Sequence, residues 1–311
     1  MKNWLDEIPE NDREKVKELY AKAKTFKKRL EVISEWHPKN YLNIKPINTL
    51  EEYFKYIRHT TTVSTWFRGE SKDHGHLVPK LYRDIEDDEK DNIEKRQEKE
   101  RNYFLEFQRR ARALAPTIAP NDLWSWYFLI QHYGGPTRLL DWTQDATIAL
   151  FFALDTERES KNDPIVVILS PTVLADYAFK ELEMERSLKS SVLYPGDSPT
   201  ERWVANLTTA NGQSVDDMPK SPIALFPPHS DIRITAQRSC FTLFGKEANG
   251  FYRDGKHIVC PCCDRKIIHK LVINGRKKEE LRKELTRIGI TSGKIYPGLD
   301  GLCKEITNEI F

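Results

Sequence analysis

Short strand-like runs set between helical ones predict an α+β or mixed α/β fold, not an all-α one, for this chain of 311 residues. Two observations carry that expectation. Runs of β-branched and aromatic residues, IVVIL at 165–169 chief among them, alternate with segments whose apolar residues recur at helical spacing. No internal repeat or low-complexity tract interrupts the alternation. At 39% hydrophobic and 31% charged residues, the chain has globular composition, enough for one large core or two smaller ones.

A formal charge of +2 gives no strong basic field, so binding of nucleic acid would need a local patch. The first residues lack a secretory apolar region, and no window approaches the roughly 20 apolar residues that cross a bilayer. A cytoplasmic protein without membrane contact is the expectation. Five cysteines, three of them in CPCC, do not make a spaced disulfide framework. They read as reduced thiols or metal ligands, and the spacing is poor for zinc, so no metal is expected.

Taken in order, residues 11–36 predict an amphipathic helix. Asn11 and Glu14 resemble a capping box, and Val16, Leu19, Tyr20, Ala23, Phe26, Leu30 and Ile33 form one apolar face. Residues 1–46 are thus an N-terminal helical extension, and the main domain spans 47–311. Asn48 or Thr49 caps a helix through Leu50, Tyr53 and Ile57, and a strand ending in Trp66, Phe67, Arg68 and Gly69 follows. The charged run from Asp84 to Arg101 reads as a solvated loop entering a helix that continues to Arg109, Arg110 and Arg112. Asn121 or Asp122 caps the next helix, which ends sharply at Gly134, Gly135 and Pro136. A buried strand with Leu139 and Leu140 then delivers Asp141, Trp142 and Thr143, and Thr143 or Asp145 caps an apolar helix through Leu154.

Beyond the IVVIL strand, residues 171–188 read as mostly helical and 190–221 as a long polar loop. A short strand falls at 223–226. Ile232 and Ile234 suggest extended structure before a bend and another strand. Strands at 257–259 and 267–273, a helix at 277–288 and a turn around Asp300 close the chain.

No phosphate-binding P-loop, GxGxxG, HExxH or GxSxG motif occurs. What remains is Arg68 at a strand end, the HYGGPTRLLDWT turn, the RITAQ segment and CPCC. Arg68, Arg138 and Arg233 either pair with acidic neighbours or, gathered with Trp66, Trp142 and Phe241, suit a ligand with phosphates and a planar ring. His132 and Tyr133 read as groups that hold Asp141 in position.

WFRG, HLVPKLYR, QHYGGPTRLLDWT with ALFFAL, RITAQRSCFT and IYPGLDGL together resemble the FRG domain over residues 47–306. FRG domains are similar in element order to ADP-ribosyltransferases and occur in bacterial toxin–antitoxin and phage-defence settings. The resemblance implies a split, strongly bent sheet around an NAD+ cleft. It also implies an enzyme moving ADP-ribose from NAD+ onto RNA or, second, protein. In that reading Arg68, Gly69, Arg138 and Arg233 hold the dinucleotide, Asp141 orients ribose or stabilises the developing cation, and Trp142, Thr143 and Phe241 contact nicotinamide and sugar. Gln237 stands where such enzymes place a catalytic glutamate. Arg276, Lys277 and Lys278 join Arg109, Arg110 and Arg112 as candidate RNA contacts. An antitoxin or chaperone is the implied partner. The rival reading is a noncatalytic nucleotide- or nucleic-acid-binding module.

Overall fold

A computed structural model describes residues 18, 45–60, 64–74, 77–83, 90–156, 160–183, 192–207, 218–228, 232–248, 250–253, 256–257 and 267–310. Apart from residue 18, the expected helix at 11–36 lies outside them, as does the CPCC cluster.

The fold is mixed α+β, built on a six-stranded open sheet in which every neighbouring pair is antiparallel. Its strands are β1 (Trp66–Glu70), β2 (Leu139–Thr143), β3 (Ile165–Leu169), β4 (Ile223–Leu225), β5 (Ser239–Leu243) and β8 (Ile268–Val272), in the order β4-β5-β2-β1-β3-β8. Strands β6 (Tyr252–Arg253) and β7 (Lys256–His257) form a separate two-stranded ribbon. The helices are α1 (Leu50–Thr60), α2 (Lys90–Ala111), α3 (Leu123–His132), α4 (Ala146–Asp155), α5 (Pro171–Glu181), α6 (Ile232–Ala236), α7 (Lys278–Arg287), α8 (Ser292–Ile295) and α9 (Leu299–Ile310). None of the described helices is long and apolar enough to cross a membrane.

Cap chemistry chooses between the alternatives the sequence leaves open. Thr49 Oγ1 accepts from Glu52 N, Asp122 from Ser125 N, and Asp145 from both Thr147 N and Ile148 N. Two expectations are corrected. Residues 232–236 are helical, because two isoleucines spaced by one residue are compatible with a single turn as well as with a strand. The segment around Asp300 opens α9, placing Asp300 in its first turn, where an acidic side chain complements the exposed N–H groups.

Paired residues of an antiparallel sheet share a face, so the register fixes which side chains lie together. One face carries Leu140, Trp142, Trp66, Val167 and Cys240, buried with Leu77, Leu81 and Tyr82. The other face carries two separate clusters. Over β1, β3 and β8, Phe67, Val166, Ile168 and Leu271 pack with α1, α4 and α7. Over β2, β5 and β4, Leu139, Phe241, Leu243 and Leu225 pack with α2, α3 and α5. Each fully buried side chain of this kind contributes about 1.5–3 kcal/mol.

Between the two clusters lies the seam of the sheet. Strands β1 and β2 share a single residue pair, Phe67 with Thr143, while β1 pairs with β3 along all its length and β2 with β5 along all of its own. The seam therefore opens from the Phe67–Thr143 pair toward Gly69 and Asp141. Gly69 permits this arrangement to close on one side: a Cβ there would fall 1.9 Å from Ala149 O and 2.5 Å from Ala153 N, so α4 sits directly against β1.

Candidate functional site

The open seam is the floor of a cleft of about 330 Å³. Its walls come from α3 (Phe128, Gln131, His132), α4 (Phe152, Thr156), α6 (Arg233, Ile234, Gln237), β5 (Ser239, Phe241) and Tyr296, which stands between α8 and α9. The alternation of β2 explains the floor. Leu139, Asp141 and Thr143 point to the face with the cleft, and Leu139 is covered by α3 while Asp141 lies beyond its end and is exposed.

Asp141 is the one carboxylate among the described cleft-lining residues. Its Oδ2 accepts a hydrogen bond from Gln131 Nε2 at 3.0 Å. Arg68 bridges the seam: Nη1 donates to Asp141 O at 2.8 Å, and Nε donates to Glu70 Oε1 at 2.9 Å. The guanidinium is thus held over the point where β1 and β2 part, with donors beyond these two for a ligand. Thr143 Oγ1 donates to Gln237 O at 2.7 Å and accepts from Asp145 N at 3.0 Å, tying the floor to the turn before β5 and to the cap of α4.

The opposite wall is aromatic and cationic. Arg233 lies 5.4 Å from the centroid of Tyr296, and Lys304 Nζ lies 5.0 Å from the same ring. Phe152 meets Tyr296 edge-on at 6.1 Å. Gln237 Nε2 donates to Ile295 O at 3.1 Å, so the amide anchors the Tyr296 segment to the rest of the cleft. Phe241 packs against Phe128 at 5.2 Å.

Of the residues singled out by sequence, Arg68, Gly69, Asp141, Thr143, Arg233, Gln237 and Phe241 line this cleft. Three do not serve as expected. Trp66 is fully buried on the other face of the sheet and lines no part of the cleft. Trp142 borders the cleft, but its indole faces the other side of the sheet, 3% exposed, with Nε1 donating to Thr242 Oγ1 at 3.0 Å. It cannot stack on a ligand there. Arg138 is buried completely and lines no part of the cleft. Its Nε donates to Glu100 Oε2 at 2.8 Å, Nη1 to Phe244 O at 2.8 Å and Nη2 to Asn206 Oδ1 at 2.8 Å. Burial pulls the Arg138 pKa down, but the Glu100 carboxylate and the nearby Tyr127 and Tyr82 pull harder in the other direction, so the net shift is upward. Arg138 is a structural cation.

The same network corrects the reading of 84–101 as a purely solvated run. Glu100 is 1% exposed and Gln97 is 2% exposed, both on α2. No local pattern marks a charge whose partner lies 38 residues away. Among the basic clusters, Arg109 and Arg110 pair with Glu106 on the surface, and Lys278 is buried with its ammonium on Ser160 O. None of these lines the cleft. Gln131, Phe128, Phe152 and Tyr296 were not singled out as site residues by sequence. Helical spacing placed Phe128 and Gln131 on one face of α3, which was the available signal.

Residues 63–162 match the family model described as the FRG domain. The matched span contains β1, α3, β2 and α4, hence Arg68, Gln131 and Asp141, while the wall formed by Arg233, Gln237, Phe241 and Tyr296 lies outside it. Neither the comparison with curated proteins nor that with solved structures gives a match.

Proposed function

We propose that the cleft binds NAD+ and that the chain is an ADP-ribosyltransferase, acting on RNA or, as second choice, on protein. The observation that carries this reading is that a single carboxylate, two arginines and several aromatic rings line one cleft over the open seam, with Arg68 bonded to Asp141 O and Arg233 beside the Tyr296 ring. A dinucleotide needs all three: guanidinium forks suit phosphate oxygens, and rings suit a planar heterocycle.

In the reaction the bond between ribose C1 and the nicotinamide nitrogen breaks, and its electron pair leaves with neutral nicotinamide. C1 becomes oxocarbenium-like, and an oxygen or nitrogen of the acceptor attacks it, losing its proton to solvent or base. A carboxylate close to C1 stabilises the positive charge as it develops, an interaction stronger in the transition state than in the ground state. Asp141 takes that role here. Gln237 is uncharged and its amide is engaged with Ile295 O, so in this mechanism it holds the cleft wall and does not act as an acid. Arg68 and Arg233 hold the pyrophosphate, and Phe241, Phe152 and Tyr296 supply ring faces and edges. The seam between β1 and β2 takes the part of the split in an ADP-ribosyltransferase-like sheet.

The toxin or phage-defence role implied by the FRG resemblance belongs to the same proposal, with an antitoxin or chaperone as the restraining partner. The second reading, a noncatalytic nucleotide-binding module, draws support from the lack of any glutamate among the described cleft-lining residues. Labelled NAD+ incubated with the full chain and either cellular RNA or lysate protein separates the two. Transfer to one acceptor class, lost in Arg68→Ala and Asp141→Ala while folding is retained, supports the transferase; binding without transfer supports the module.

A further inference from the structure

Thr137 Oγ1 accepts a hydrogen bond from Leu139 N at 3.2 Å, and Thr137 is fully buried. Its oxygen is also hydrogen-bonded to the Gln131 side-chain amide, and with one proton and a second lone pair left the hydroxyl suits either end of that amide. The Asp141 carboxylate settles which end of the Gln131 amide is which. The NH2 end faces Asp141, with Nε2 3.0 Å from Oδ2, so the carbonyl end faces Thr137. An ionised carboxylate only accepts, so the donor end is the one that fits it. The chain of bonds runs from the β2 backbone through the Thr137 hydroxyl and the Gln131 amide back to Asp141, two residues further along the same strand. It closes a loop around the Gly134, Gly135 and Pro136 turn.

From this geometry we infer that Gln131 is a positioning residue, whose amide, anchored by Thr137, holds the Asp141 carboxylate in the orientation the cleft uses. The inference rests on the transferase reading for its catalytic consequence, but the hydrogen-bonded orientation itself does not. Among the described residues, the hydrogen bond from Gln131 is the one that reaches the Asp141 carboxylate, so its removal leaves a side chain free to rotate on an exposed strand position. A rotating carboxylate loses its transition-state contact more than it loses ligand affinity.

The test uses the full chain with NAD+ and cellular RNA or lysate protein as acceptor, following nicotinamide release, in the wild type and in Gln131→Met, Gln131→Glu and Thr137→Val. Gln131→Met is expected to lower kcat about tenfold to a hundredfold with KM for NAD+ changed less than about twofold. Gln131→Glu keeps the acceptor toward Thr137 but sets a second carboxyl against Asp141. Its activity should appear only at acid pH, where the pair shares one proton, a shift of the pH profile that a purely structural role would not produce. Thr137→Val should fall between the wild type and Gln131→Met. Unchanged kcat in Gln131→Met, or a Gln131→Glu profile superimposable on the wild type, overturns the inference.

A wild type that releases no nicotinamide overturns the transferase reading instead. The positioning is then read from the Gln131 side-chain amide protons by NMR: slow exchange that becomes fast in Asp141→Ala upholds it, and exchange identical in the two proteins overturns it.

Discussion

Replacing Glu100 by Gln should be among the most damaging single changes in the described chain, although the position lies in a segment that reads as solvated. One carboxylate, 1% exposed, receives Arg138 Nε at 2.8 Å, Arg138 N at 3.1 Å, Asn206 Nδ2 at 2.8 Å and the Tyr127 hydroxyl. The amide variant removes the negative charge, turns one acceptor into a donor facing donors, and leaves a fully buried guanidinium with neutral acceptors only. Breaking a buried pair from one side costs about 3–5 kcal/mol, a large part of the roughly 5–15 kcal/mol that holds a domain together. Urea unfolding followed by tryptophan fluorescence measures the loss, in wild type, Glu100→Gln, Arg138→Met and the double variant. The double variant should lose less than the sum of the singles by about 2–3 kcal/mol, because removing both charges leaves neither stranded. A Glu100→Gln cost below about 1 kcal/mol, or strict additivity, would refute the account of Arg138 as a structural cation.

Three further outcomes follow from the packing and charge. Gly69→Ala should cost about 1–3 kcal/mol in thermal or urea unfolding by pushing α4 off β1, and a stability equal to wild type would show the contact with Ala149 O to be soft. Trp142→Phe should cost about 1 kcal/mol through the lost bond to Thr242 while NAD+ affinity measured by calorimetry stays put; a tenfold weaker affinity would return the indole to the ligand. Glu106, hydrogen-bonded by Arg109 and Arg110, has its carboxyl pKa lowered from 4.5 to about 2, so the pairing contributes above the ordinary glutamate range and fades as pH falls through about 2. Carboxyl NMR should show that low midpoint, moving back up in Arg109→Ala with Arg110→Ala; a wild-type midpoint near 4.5 contradicts the pairing.

The backbone around the central turn was legible because its signals are local. Glycine and proline end α3, Asp122 and Asp145 cap from their own side chains, and the apolar Leu139 and Leu140 open β2. Strand alternation already separates Asp141 from Trp142, since neighbours on a strand face opposite ways, and gathering both around one ligand ignored it. Arg138 shows a different limit. Whether an arginine at a strand start meets a ligand or a buried carboxylate depends on a partner 38 residues away, and nothing in its own neighbourhood encodes that choice. Tyr296 and Arg233 meet across 63 positions of sequence, and Gln237 reaches Ile295 across 58, so the far wall of the cleft exists only once the chain has folded.

Nicotinamide release from NAD+ by the full chain in the presence of cellular RNA or lysate protein, counted directly and compared between wild type and Asp141→Asn, bears most immediately on the claim that the opened seam is a transferase site. Release by the wild type and at least a hundredfold less by Asp141→Asn, with equal stability and NAD+ affinity within about twofold, is the result this geometry predicts. Equal release by the two proteins would take the chemistry away from Asp141, and no release by either would leave the cleft as a binding site.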